Sequence, residues 1–287
     1  MLLSRDEMTF DFGGARLRPI EDRALLGWLL DQFLYGEVAA NQIGEWLYDA
    51  PDLESARFLA RQAVEELQHV DSFLRIMRLV GVEPGPPHRV VRFLVTGMKA
   101  ASWPEHVGII MAAGEGMVLM ALYGMIDTLD HPEAVEILRR AVKQEERHVD
   151  FGERQTMQIV KARPATGRRL LGLSLVSLGA VRRLARTMAR RLPADAPIMS
   201  RLPAFANAVA ESHELRLRRM GLADRPLAEL PWGRKLRLVV EAYAGKALQA
   251  LAAFALAPLR MLGLSRPRRL TDTYLRDPAL RRPLPPG

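Results

Sequence analysis

The chain has 287 residues, of which 49% are hydrophobic and 26% charged, with a formal net charge of +8 and no cysteine. The missing cysteine excludes disulfides, zinc knuckles, iron–sulfur clusters and thiolate nucleophiles, so any metal must rest on histidine and carboxylate. Helix formers (Ala, Leu, Arg, Met) outweigh strand formers, which predicts an all-α protein.

The opening stretch MLLSRDEMTF lacks the basic start and long apolar core of a secretory signal, so the expected location is cytoplasmic. Helices are then expected near residues 21–48, 53–80, 103–129 and 133–161. The breaks between them are written in turn chemistry. Asp49-Ala50-Pro51-Asp52 ends the first and Gly81-Val82-Glu83-Pro84 the second. Ser102-Trp103-Pro104-Glu105 starts the third, and Asp130 with Glu133 has capping-box logic before the fourth. The piece from 88 to 101 becomes a crossover, longer than an ordinary bundle loop.

The first half also repeats itself. Gly36-Glu37 begins one unit and Gly114-Glu115 the other. The units end in Glu65-Glu66-Leu67-Gln68-His69 and Gln144-Glu145-Glu146-Arg147-His148. The offset is 78 residues for the lone glutamates and 79 for the Glu-x-x-His pairs, so one residue has been gained within a unit. Each unit reads as a helical hairpin.

Residues three apart on a helix point into the same space, so Glu66 sits with His69 and Glu145 with His148. In an antiparallel hairpin two residues lie level when the turn falls midway between them. The midpoint of 37 and 66 falls on Pro51-Asp52, and that of 115 and 145 on Asp130. Four helices therefore supply Glu37, Glu66, His69, Glu115, Glu145 and His148 to one interior. Four buried carboxylates without countercharge would protonate or destabilise the fold, and two divalent cations would offset both costs. Carboxylate with imidazole suits iron and manganese.

Two copies of Glu plus Glu-x-x-His resemble the ferritin-like di-iron carboxylate superfamily, over roughly residues 20–160. The resemblance implies a ferritin-like four-helix bundle with a long crossover, two Fe ions on the six residues (Mn being compatible at one site), and dioxygen chemistry. Departures from family variants narrow it. Rubrerythrins carry a cysteine-ligated iron module, absent here. The radical-generating ribonucleotide reductase subunit has tyrosine where Phe73 stands, and aminoarene oxygenases add a third histidine where Ala141 and Gln144 stand. Ferritin cages have a short fifth helix in place of a long basic extension. What remains resembles aldehyde-deformylating oxygenases and hydroxylases. The implied function is a di-iron oxygenase or oxidase acting with dioxygen on an organic small molecule, a class that includes lipid-like substrates. Its electron donor is unspecified and a homo-oligomer is open. A ferroxidase or peroxide-detoxifying protein, and a non-catalytic metal-stabilised bundle, are the alternatives.

Around the ligands, Glu65 and Gln144 are candidates to accept the second ring N–H of the histidines across the repeat, with simple exposure of Glu65 as the alternative. Asp71 and Asp150 are read as structural. Glu45, Glu146 and Glu153 are read as solvated or hydrogen-bonded, and His88, His106, His131 and His213 mostly as loop or cap residues. Gly114 and Gly116 flank Glu115, and Ala39 and Ala40 follow Glu37. Small residues there imply either close helix packing or room for dioxygen or substrate.

Residues 163–287 hold 24 Lys or Arg against 8 Asp or Glu, a balance of +16, which leaves −8 for residues 1–162. That reversal divides a bundle domain, 1–162, from a basic helical extension, 163–287. Three or four helices are expected between 164 and 270, and the tail after Pro267 is read as extended. Leu170–Val181 is too short to span a bilayer, and Gln249, Pro258 and Arg260 argue against spanning by 247–264. Packing on the bundle with a solvated basic face is favoured, peripheral membrane or lipid contact comes second, and sparse aromatics disfavour nucleic acid.

Overall fold

A computed structural model describes residues 1–97, 99–191 and 197–261 of the chain. It is all-helical. Among the described residues the only extended pairing is an isolated bridge, in which Leu17 N–H donates to Thr128 O at 2.9 Å and Leu17 O accepts from Asp130 N–H at 2.9 Å. The first 22 residues bury Leu3, Met8, Phe12 and Leu17, so this segment is part of the core.

Helix α1 covers Arg23–Ala40 and passes into a 3₁₀ stretch, Asn41–Tyr48. The expected helix to 48 is thus tightened over its last eight residues. Asn41 and Gly44 are poor interior α-helix residues, while Ile43 and Trp46, three apart, are both buried, which suits the eclipsed 3₁₀ period. Helix α2 (Leu53–Leu79) starts where the Asp52 side chain accepts from Ser55 N–H at 2.7 Å, a cap worth about 1 kcal/mol. It stops in a Schellman closure, Val82 N–H to Met77 O and Gly81 N–H to Arg78 O. The crossover is not featureless, since it holds α3 (Arg89–Arg92), capped by His88, and a π turn, Phe93–Gly97.

The third expected helix is a continuous rod of 26 residues, Trp103–Thr128. It is made of α4 (Trp103–Glu105), a π stretch (His106–Glu115) and α5 (Gly116–Thr128). Helix α6 (Pro132–Ala162) is capped by His131, whose ring accepts from Ala134 N–H at 3.3 Å. The capping box expected at Asp130 does not form, because the Asp130 amide is committed to Leu17 and Glu133 pairs with Arg75.

The reversal of charge coincides with the junction of α6 and α7 (Pro164–Arg191). Then follow α8 (Leu202–Arg219), α9 (Trp232–Ala255) and α10 (Ala257–Met261), so the described residues of this region hold four α-helices where three or four are expected up to residue 270. The tail after Pro267 lies outside the described residues.

Helix α1 packs on α2, α2 on α6, and α6 along the rod. The last approach is close because of Gly152, where a Cβ would lie 2.7 Å from Ala112 N and 2.7 Å from Met111 Cβ. One apolar cluster joins the N-terminal segment, α1, α2, α5 and α6. A second, around Ile43, Trp46, Leu59, Val107, Met111 and Phe151, fills the other end. On α2 the two ends are separated by the turns between Leu59 and Phe73, which carry Glu66 and His69.

The basic helices pack on this assembly. Leu170, Leu171, Leu173 and Leu178 of α7 join Ala210 and Leu217 of α8 and Leu238 and Ala242 of α9 against Ile109 and Ala112 of the rod. Among the described residues two helices are long and apolar enough to cross a membrane, by length and composition only. The apolar window of the rod is 61% buried, whereas that of Trp232–Ala255 is only 11% buried.

Candidate metal centre

The six ligand candidates converge. Glu37 comes from the last turn of α1, Glu66 and His69 from the middle of α2, Glu115 from the end of the π stretch, and Glu145 and His148 from the middle of α6. They fall into two groups able to hold a metal ion: Glu37, Glu66, His69 and Glu145 form one, and Glu115, Glu145 and His148 the other. Five of the six residues are buried to 5% exposure or less, and although Glu115 is part-exposed its Oε2 is buried.

Both imidazoles turn Nδ1 inward and Nε2 outward. His69 Nδ1 lies 2.9 Å from Glu145 Oε1, 3.2 Å from Glu37 Oε2 and 3.6 Å from Glu66 Oε2. His148 Nδ1 lies 3.4 Å from Glu66 Oε1 and 3.6 Å from Glu145 Oε2. Glu66 and Glu145 therefore each give one oxygen to each histidine. The lone glutamates stay local, Glu37 on the His69 side and Glu115 on the His148 side.

The outward nitrogens have partners across the repeat, as Glu65 and Gln144 predict. His148 Nε2 meets Glu65 Oε2 at 2.8 Å, and His69 Nε2 meets Gln144 Oε1 at 2.7 Å. An acceptor at Nε2 holds a proton there, so Nδ1, the nitrogen turned to the carboxylates, is the one that would offer its lone pair to a metal ion. The two supports differ in charge. Glu65 also pairs with Arg147 at 2.8 Å, and despite burial its hydrogen bonds from His148 and Arg147 hold its carboxyl below the usual range. Gln144 is neutral.

The electrostatics show a shortage of positive charge. Burial, then the charges of neighbouring carboxylates, raises Glu37 and Glu115 well above the ordinary carboxylate range. Burial pushes Glu145 the same way, but contact with His148 and His69 outweighs it and holds Glu145 at about 2. Burial likewise opposes charge on His69 and His148, yet the surrounding carboxylates, Glu145 foremost, raise both. Among the six ligand candidates two buried atoms have no hydrogen-bond partner, Glu115 Oε2 and His148 Nδ1. Both belong to the second group, and a bound cation would satisfy both. Buried Glu/His groups that could hold metal are thus present, and their donor set fits a divalent ion.

Gln62 escaped the sequence reading. It is wholly buried one turn before Glu66, and its amide donates to Glu66 Oε1 at 3.1 Å and Glu115 Oε1 at 3.2 Å, tying the two hairpins. Its signal was a polar residue four positions before a ligand, but the repeat partner at that place is Ala141. Phe58 stacks on Phe151 at 3.9 Å and stands edge-on to His148, walling one side.

The remaining candidates lie off the centre. Asp71 is exposed, Asp150 pairs with Arg154, Glu45 with Lys99, and Glu146 accepts from Tyr123 Oη at 2.6 Å. Glu153 is buried and pairs with Arg216 at 2.9 Å. His88 and His131 are caps, as expected. His106 and His213 are not. His106 is buried and stacked on Trp46 at 4.8 Å, and His213 is fully buried, both because the rod is covered from sides the repeat does not reveal.

Gly116 is explained by packing. A Cβ there would lie 2.2 Å from Arg216 Nη1, so its missing side chain leaves room for a guanidinium from α8. No protein-family model, curated protein or solved structure matches this chain.

Proposed function

We propose that the chain is a ferritin-like di-iron oxidoreductase that uses dioxygen to oxidise or hydroxylate an organic small molecule. The observation that carries this reading is the sharing of Glu66 and Glu145 between two histidines. A single-ion site has no use for two carboxylates that each address two imidazoles, whereas a two-ion site does. Four carboxylates also match the charge of two divalent cations, and histidine with carboxylate favours iron or manganese.

When bound, such a pair supplies electrons to dioxygen and an oxidising equivalent to a substrate. This chain's residues do the rest. Glu65 and Gln144 hold the imidazoles in one tautomer and one orientation. Gln62 keeps Glu66 and Glu115 in register across the hairpins, and Phe58 with Phe151 excludes water from the His148 side. The bundle with its crossover is the frame, and α7, α8 and α9 are an extension packed on it.

The test is anaerobic loading with Fe(II) followed by an oxygen pulse. The expected result is rapid oxygen consumption with a transient visible absorption that decays faster when an organic substrate is added. Ferric mineral accumulating far beyond two irons per chain would instead identify an iron-handling protein. Bound iron that gives no spectral change with oxygen would identify a metal used for stability alone.

A further inference from the structure

Helix α9 carries a surface that the metal centre does not use. Along α9, Trp232, Leu236, Val240, Tyr243, Leu251 and Phe254 recur at helical spacing on one face. All are exposed, Trp232 by 76% and Phe254 by 81%. The opposite face, with Leu238 and Ala242, is the one that packs on α7. An apolar stripe of this length on a folded protein marks an interaction site.

Three observations say what covers it. Beyond Lys246 the exposure is no longer confined to a stripe. Leu248, Leu256 and Leu259 are also exposed, and Leu256 lies about 200° around the helix from Phe254. A partner helix covers one side, whereas a hydrocarbon medium covers every side. No charged residue occurs from 247 to 259, but Arg163 and Arg168 stand exposed at the start of α7, beside the Arg169 that donates to Gln249. In sequence Arg260, Arg266, Arg268 and Arg269 follow at once. An uncharged apolar segment bracketed by arginines complements acyl chains beneath anionic headgroups. Finally, the segment 247–259 is ~20 Å long, shorter than the ~30 Å hydrocarbon core, and the part of α9 before it is tied to the body by Leu238 and Ala242 and by the Lys246–Glu105 ion pair.

We propose that α9 and α10 are an interfacial anchor for an anionic bilayer. Residues 247–259 enter one leaflet without crossing it, Trp232 and Tyr243 lie at the headgroup level, and Arg163 and Arg168 face lipid phosphates.

The full chain is mixed with phosphatidylcholine vesicles containing about one-third phosphatidylglycerol and floated on a density gradient. It is expected to float with these vesicles, to float several-fold less with pure phosphatidylcholine or in high salt, and to shift its tryptophan emission to the blue as Trp232 leaves water. Leu251→Asp with Phe254→Asp should leave the circular dichroism and thermal midpoint unchanged and weaken vesicle binding by about tenfold or more. Arg163→Glu with Arg168→Glu should remove the preference for anionic lipid. The proposal is overturned if the chain ignores both vesicles, or if the Asp pair leaves binding intact. It is also overturned if the Asp pair instead turns a dimer into a monomer, which assigns the face to a second copy, or lowers the thermal midpoint, which assigns it to the chain's own interior.

Discussion

Glu145 Oε1 lies 2.9 Å from Nδ1 of His69, a histidine of the other hairpin, while Glu145 Oε2 faces His148 of its own helix at 3.6 Å. Glu145 is therefore common to both groups of potential ligands, and Glu37 belongs to one. Replacing the two residues should have unequal effects. Glu37→Gln is expected to weaken one ion and spare the other, whereas Glu145→Gln should weaken both, as read by isothermal titration with Fe(II) under argon. Equal effects would deny the shared role.

The supports behind the histidines differ, which gives a second expectation. Glu65 places a carboxylate on His148, and its replacement by Gln should lower affinity at that ion by about 10- to 100-fold. Gln144→Glu should strengthen the ion on His69. Competition against a chromophoric chelator measures both, and a symmetrical response to the two variants would count against the assignment.

Stability should depend on a pair far apart in sequence. Arg216 is fully buried, pairs with Glu153 at 2.9 Å and fills the space left by Gly116. Removing one partner strands a buried charge, so Arg216→Met should cost about 3–5 kcal/mol in urea unfolding, and Glu153→Gln a similar amount. Gly116→Ala should cost about 1–3 kcal/mol by overpacking. A Gly116→Ala variant as stable as the parent would show that the guanidinium moves aside freely.

His213 sets a pH dependence. Burial, then the charge of Arg216, lowers it to about 3, below the ~6.5 of an unfolded chain. Between these values the unfolded state binds the extra proton. The stability associated with neutral His213 is therefore complete above pH ~6.5 and is lost as pH falls, at about 1.4 kcal/mol per pH unit. His213→Leu should flatten the pH dependence of unfolding by that slope, and an unchanged slope would mean that His213 charges in place.

The convergence of the six residues was legible because helical spacing and a duplicated hairpin are local facts. A turn midway between Glu37 and Glu66, and another between Glu115 and Glu145, were enough to bring all six residues together. The acceptors Glu65 and Gln144 followed from the same register. Gln62 was not legible, since Ala141 occupies its repeat position. Nor were the burial of His106 and His213, or the role of Gly116, because those depend on α8 and on the 3₁₀ stretch closing over the rod. The π stretch before Glu115 also has no signature in the periodicity of apolar residues. The cap at His131 was displaced from Asp130 by the Leu17 bridge, a contact more than a hundred residues away in sequence.

Metal content after anaerobic Fe(II) loading and desalting reads whether two metal ions rest on one shared set of carboxylates. About two irons per chain are expected, falling below one in Glu145→Ala with the helical fold retained. A chain that holds no iron, or one whose iron content is unchanged by Glu145→Ala, would contradict it.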